Sequence, residues 1–308
     1  MTGVKRPDGG ELADPTDSTE STERPGGLLS RVAQNVVMYH DPRSLHAEQY
    51  RTCRTNLTAL NRAGAPWAVV VTSSRKGEGK SVTAANLAVC LAEMPATRVC
   101  LIDGDFRAAS QAEVFGVENT PGLADLLTDQ AKLPAVLRAT AIPKLDILPA
   151  GDEPASSAEL LGGERFGNLL GELKRRYSWI VIDTPPVNPY TDACVATART
   201  NGALLVVRMQ QTQRDIVQRA AQSIVVAGGR LLGTFLTGLP PDKEQYDYYT
   251  YDRSSTSSDS ARTRHELARQ RARREAERRL RQQEKAYLKH SSEGEPGPDE
   301  ARADEPDV

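Results

Sequence analysis

A chain of 308 residues, 39% hydrophobic and 26% charged, is long enough for one or two globular domains, and its net charge of −2 argues against a dedicated nucleic-acid binder. No apolar run approaches the ~18–20 residues of a spanning helix and no signal peptide opens the chain, so a soluble, cytoplasmic protein is expected. Cys53, Cys90, Cys100 and Cys194 are scattered without a CxxC pair, a reduced-thiol pattern with no cysteine metal site.

Residues 1–28 are Gly, Pro, Ser, Thr, Asp and Glu with almost no large apolar side chain, and predict a disordered N-terminal tail. One globular domain is expected over 29–242. WAVVVTS (67–73) is a buried-strand run, and GKSVTAANLAVCLAEM (79–94) follows with helical periodicity. RVCLID (98–103) and KLDILPAG (144–151) are the next strands. A helical stretch then runs to Arg176, followed by the strand WIVID (179–183). GALLVVRMQQ (202–211) and LLGTFLTGL (231–239) complete the strands, with helical TQRDIVQRAAQSIVVA (212–227) between them. Runs of Val, Ile and Leu without alternation indicate strands covered on both faces. Strand alternating with helix predicts an α/β fold of three layers around a mostly parallel central sheet. Ligands of such sheets bind beyond the carboxyl ends of the strands.

At those ends the chemistry is dense. SSRKGEGKS (73–81) lies between the first strand and a helix and approaches the phosphate-cradling template G-x-x-x-x-G-K-[ST], with Ser74 in place of the first glycine. Gly77 and Gly79 let backbone N–H groups converge on phosphate, and the helix N-terminus adds its positive dipole end. Lys80 would neutralise β- and γ-phosphate oxygens, and Ser81 would ligate Mg²⁺. The nucleotide loop is therefore read as Ser74, Arg75, Lys76, Gly77, Glu78, Gly79, Lys80, Ser81 and Val82. Asp103 and Asp105 leave the second strand and Asp183 closes WIVID. Each alone fits a helix N-cap, but three beside a phosphate loop fit an Mg·ATP phosphoryl-transfer site.

The C-terminal part reads differently. EQYDYYTYDR (244–253) holds Tyr246, Tyr248, Tyr249 and Tyr251, four of nine tyrosines, with no aliphatic neighbour. Three readings compete: a strand edge, which adjacent Tyr248 and Tyr249 disfavour; a sticky partner patch; and a tether whose hydroxyls accept phosphate. Beyond it, residues 261–290 carry eleven Lys/Arg against four Glu and read as a basic, charge-laced helix. Residues 291–308 are acidic and predicted disordered. Contact of the basic stretch with a membrane surface or polyanion is the other reading.

The set GEGKS, LIDGDFR (101–107), WIVIDTPPV and a tyrosine-rich C-terminal segment resembles the bacterial tyrosine kinases that control capsule and exopolysaccharide export. EQYRTCRTNL (48–57), PGLADLL (121–127), ILPAG (147–151), AELL (158–161) and TDA (191–193) agree, so the resemblance spans residues 40–251. It implies a deviant Walker P-loop fold, an ATP-dependent tyrosine autokinase, and ATP and Mg²⁺ as cofactors. Lys80, Asp103, Asp105 and Asp183 are the implied catalytic residues. Ser81, Asp105 and Asp183 would be the metal ligands, and Asp103 the base for the tyrosine hydroxyl. The tyrosine cluster (243–252) would be phosphorylated in trans, and Glu48, Arg51 and Arg54, sharing one helix face, would line the subunit interface of a homo-oligomeric ring. A membrane polysaccharide co-polymerase or similar activator with a cytoplasmic tail, and a cognate tyrosine phosphatase, are the implied partners; no nucleic acid is expected. Such a partner would hold the protein at the inner face of the membrane. A partition-type P-loop ATPase switch is the alternative. The chain departs from the family pattern at Ser74, Arg75 and Lys76, at Thr237, where relatives carry an adenine-contacting Asn, and in the extension 253–308.

Overall fold

The structure, a computed structural model, describes residues 32–239. The predicted N-terminal tail, the tyrosine cluster and the charged extension with its basic helix lie outside the described residues. The elements are α1 (Val37–His40), α2 (Leu45–Leu60), β1 (Trp67–Ser73), α3 (Lys80–Ala92), β2 (Val99–Asp103), α4 (Gln111–Phe115), α5 (Leu123–Leu127), α6 (Leu133–Val136), β3 (Arg138–Ala139), β4 (Leu145–Leu148), α7 (Ser157–Gly162), α8 (Glu164–Lys174), β5 (Trp179–Asp183), α9 (Asp192–Ala198), β6 (Gly202–Arg208), α10 (Arg214–Val226) and β7 (Leu231–Thr237). They build one sheet in the order β3-β4-β2-β5-β1-β6-β7. Every neighbouring pair is parallel except β3 and β4.

Side chains of one strand go alternately to two cores. Ala68 and Val70 of β1 join Leu170 and Ala193 on one face. Trp67, Val69 and Val71 join Ala84, Leu87 and Ala88 of α3 on the other. Both faces are dry, so β1 and β5 are buried along their whole length and need no polar alternation. The three-layer α/β expectation is met. No helix among the described residues is long and apolar enough to cross a membrane.

Several strand ends fall short of the apolar runs that announce them, each for a backbone reason. β4 stops at Leu148 because the next carbonyls are taken by another segment: Leu123 N–H donates to Pro149 O at 2.7 Å and Ala124 N–H to Ala150 O at 2.9 Å. A Cβ on Gly122 would meet Gly151 N at 2.2 Å, so PGLADLL and ILPAG are two halves of one tight backbone crossing. β6 ends before Gln210, which has a positive φ of 62°. The helical stretch before Arg176 is two helices, α7 and α8, broken at extended Gly163. Between 104 and 143, where no element is predicted, lie α4, α5, α6 and the two-residue antiparallel edge β3.

Candidate active site

The site grows from the carboxyl ends of three consecutive strands. β5 lies between β2 and β1, with Asp103 level with Asp183 and Val71 level with Asp183. The loop after β1 therefore opens beside the two aspartates that close β2 and β5.

Loop 74–79 is held by its own chain. Gly77 and Gly79 take φ of 87° and 94°, the left-handed region that glycine adopts without strain. Ser74 has no such φ, so a serine at the first template glycine costs the backbone nothing. The Glu78 side chain is buried: Oε2 accepts from Arg75 N–H at 2.8 Å and Oε1 accepts from the Thr212 hydroxyl. Thr237, at the end of β7, donates its hydroxyl to Glu78 O at 2.7 Å, and Arg208 Nη1 reaches Gly77 O at 3.3 Å. Thr237, the departure noted in the sequence, thus ties the last strand to the loop. Lys80 opens α3, whose first-turn N–H groups point back at the loop as an anion site.

Lys80 Nζ sits 2.6 Å from Asp105 Oδ2, 3.9 Å from Asp183 Oδ1 and 3.1 Å from Ser81 Oγ. Burial acts against its ammonium, but Asp183 and Asp105 outweigh it and its pKa is raised. Asp103 and Asp183 are fully buried. Burial, then the charge of Asp183, pushes the Asp103 carboxyl up to about 7. Burial pushes Asp183 up as well, with the Lys80 charge pulling the other way. Asp103 Oδ2 accepts from Ser110 and Gln111 N–H, both at 2.9 Å, and Oδ1 accepts from Asp105 N–H at 3.2 Å. Oδ2 thus accepts two backbone bonds and Oδ1 one, all from the 105–111 segment.

The structure adds residues that the motifs omit. Gln111, fully buried, donates Nε2 to Asp183 Oδ2 at 2.8 Å and to Ser81 O at 3.0 Å. Among the described residues, its Oε1 and Asp183 Oδ1 are buried acceptors without a well-formed hydrogen bond. Arg107 donates Nη2 to Ser157 Oγ at 2.8 Å, pairs with Glu153 at 3.4 Å and buried Asp192 at 3.7 Å, and lies 4.4 Å over the Tyr190 ring. It clamps the loop carrying Asp105 onto α7 and α9. No local pattern marks Gln111, whose partners are 30 and 72 residues away.

Among the described residues no cluster of three or more His, Cys, Asp or Glu forms a metal cage. Mg²⁺ does not need one, since it keeps waters and takes phosphate oxygens with one or two carboxylates. The donor set of Ser81 hydroxyl, Asp105 and Asp183, with those two buried acceptors beside it, fits that ion and its waters.

Glu48, Arg51 and Arg54 share one face of α2, as the i, i+3, i+6 spacing requires. Arg51 pairs with Glu48 at 2.6 Å and forks onto Glu93 at 3.2 and 3.4 Å. Arg54 reaches Glu93 at 3.1 Å and Cys90 O at 2.8 Å. Both arginines are engaged within the chain, at the end of α3.

A family described as an AAA domain matches residues 68–217. Tyrosine-protein kinase YwqD of Bacillus subtilis is 34% identical over 221 residues, which cover 71% of this chain and 93% of that protein. The solved structure of the chimerical protein CapA2B2 is 32% identical, with a TM-score of 0.64 over 70% of this chain and 95% of its own. The BceF tyrosine kinase domain is 33% identical, with a TM-score of 0.60 over 67% of this chain and 82% of its own.

Proposed function

The chain belongs to the bacterial tyrosine-protein kinases, and from that premise we propose that it phosphorylates its own Tyr246, Tyr248, Tyr249 and Tyr251, in trans within a homo-oligomer, using ATP and Mg²⁺. The observation that carries this reading is the convergence of Lys80, Asp105 and Asp183 beside a glycine-hinged phosphate loop.

The loop N–H groups and the start of α3 hold the phosphates. Lys80 exchanges Asp105 for phosphate oxygens, which frees the Asp105 carboxylate. Ser81, Asp105 and Asp183 would hold Mg²⁺, which when bound would draw charge off the phosphate oxygens. The acceptor phenol oxygen attacks the γ-phosphorus, the bond to the bridging β–γ oxygen breaks, and ADP leaves. The phenolic proton passes to Asp103, whose pKa near neutrality suits a general base. Each phosphate adds about −1.5 to −2 charges to a segment that already holds Asp247 and Asp252. The product is then repelled by the three aspartates and leaves.

The resemblance carried by its motifs extends this proposal to capsule or exopolysaccharide production. A membrane polysaccharide co-polymerase or similar protein would supply an activating cytoplasmic tail at the inner membrane face, and a tyrosine phosphatase would reset the cycle. A partition-type ATPase would use the same loop but has no need of four tyrosines, and YwqD and BceF are named as tyrosine kinases.

Replacing Tyr246, Tyr248, Tyr249 and Tyr251 by Phe keeps the rings and removes only the hydroxyls. Incubated with Mg·ATP, this variant loses most phosphotyrosine while nucleotide binding persists. Phosphotyrosine at the wild-type level would refute the acceptor assignment.

A further inference from the structure

Beside the phosphate loop lies a groove of about 570 Å³ whose charged lining residues are Arg75 and Arg219, with Asn188, Gln222 and Ser223 as polar and Ile216 and Val226 as apolar neighbours. No acid lines it. The Arg75 guanidinium, exposed at the loop, makes no hydrogen bond or ion pair among the described residues, whereas Arg219 shares its charge with exposed Asp215 at 2.9 Å. Asn188 fixes the groove to the catalytic loop: its Nδ2 donates to Ser74 O at 3.1 Å and to Ile216 O of α10 at 3.2 Å. The volume takes several peptide residues rather than a single ion. Val225 and Val226 are 58% and 79% exposed on the same helix and offer apolar surface to an aromatic ring.

A cationic, donor-rich groove with apolar side chains in its lining calls for an extended ligand that alternates carboxylates with rings. This sequence contains one. In EQYDYYTYDR, Glu244, Asp247 and Asp252 interleave with the four tyrosines. We propose that the groove docks this segment of a second copy of the chain, Arg75 and Arg219 reading the carboxylates while a neighbouring phenol enters at the phosphate end. The inference rests on the kinase reading above and names what selects the acceptor. Because charge recognition at an open groove acts on encounter and affinity, it bears on KM for the acceptor rather than on kcat.

The test uses the full chain with its four acceptor tyrosines changed to Phe, and three synthetic acceptors. These are the ten-residue segment itself, a neutral version (Glu244→Gln, Asp247→Asn, Asp252→Asn) and a basic version with Lys at those three positions. Arg219→Glu in this background raises KM for the acidic acceptor on the order of 10-fold with kcat little changed. It leaves the neutral acceptor unaffected and improves the basic one. Gln222→Glu repeats the direction more weakly. An Arg219→Glu enzyme whose KM is unchanged, or falls equally short on acidic and neutral acceptors, overturns the docking site. Should no acceptor become phosphorylated, the kinase reading fails instead. Fluorescence anisotropy of a labelled all-Phe segment then decides the groove by itself. Binding that Arg219→Glu weakens upholds it, and binding indifferent to Arg219 overturns it.

Discussion

Gln111 shows how much of this site rests on one neutral side chain. Its amide holds Asp183 and the first turn of α3 together, while its own backbone N–H holds Asp103. Gln111→Leu keeps the volume and leaves Asp183 Oδ2 without that donor, a loss of about 1–3 kcal/mol for a buried group. Outer-shell residues of metal sites typically change metal affinity or activity by about 10–100-fold. The expected outcome is a rise in the Mg²⁺ concentration that half-saturates Mg·ADP binding by calorimetry, together with a lower rate of phosphotyrosine formation. A lower melting temperature with unchanged Mg²⁺ half-saturation would reduce Gln111 to a strut. At the same scale, Ser74 shows why a motif mismatch can be harmless, since the first template position has no positive φ here, whereas Gly77 and Gly79 do.

At the scale of elements, the α2 face and the end of α3 form one polar unit. Glu93 receives both Arg51 and Arg54, so the pattern read as a subunit contact is also an intrachain brace. Partly exposed pairs of this kind are worth about 0–1 kcal/mol each. The double variant Arg51→Ala, Arg54→Ala is expected to shift the light-scattering mass toward monomer with little loss of stability. Glu93→Ala separates the two roles. It removes the carboxylate the two arginines share and leaves Arg51 on Glu48 and Arg54 on Cys90 O, so the proposed oligomer is expected to survive. Dissociation of the Glu93 variant to the same extent would mean that the arginines act only by packing α2 on α3.

At the scale of the whole molecule, the sheet order gathers residues from the ends of β1, β2 and β5 under a single cation. Lys80 is the countercharge to Asp105 and lies near Asp183, with side chains 11%, 2% and 0% exposed. Removing one partner of such a buried pair costs about 3–5 kcal/mol unless the orphaned acid protonates. Lys80→Met therefore abolishes phosphoryl transfer and also lowers the melting temperature, the carboxyls taking up protons in compensation. Mixed with the four-Phe variant, the Lys80 variant supplies the acceptor segment and its partner supplies the active site. Labelling is expected on the Lys80→Met chain alone. Its absence, with each parent behaving as above, would make the reaction intramolecular.

Local patterns in the chain suffice for the α/β class, six of the seven strands, the phosphate loop and the three strand-end aspartates. Each rests on a local pattern: an unbroken apolar run, a glycine pair before a helix, an acid where a strand stops. The family resemblance added the α2 arginines, the two halves of the 122–151 crossing and the catalytic assignments. The remaining features come from contacts made in the folded chain. The two-residue edge β3 is too short to show a period, and the short helices of 104–143 owe their form to packing rather than to repeat. Gln111, Arg107, Glu78 with Thr212 and Thr237, and the Arg75–Arg219 groove each join residues that lie far apart in the chain. A side-chain bridge of that kind has no signature at either end, because what defines it is the strand order that places β5 between β1 and β2 and carries β7 back to the loop.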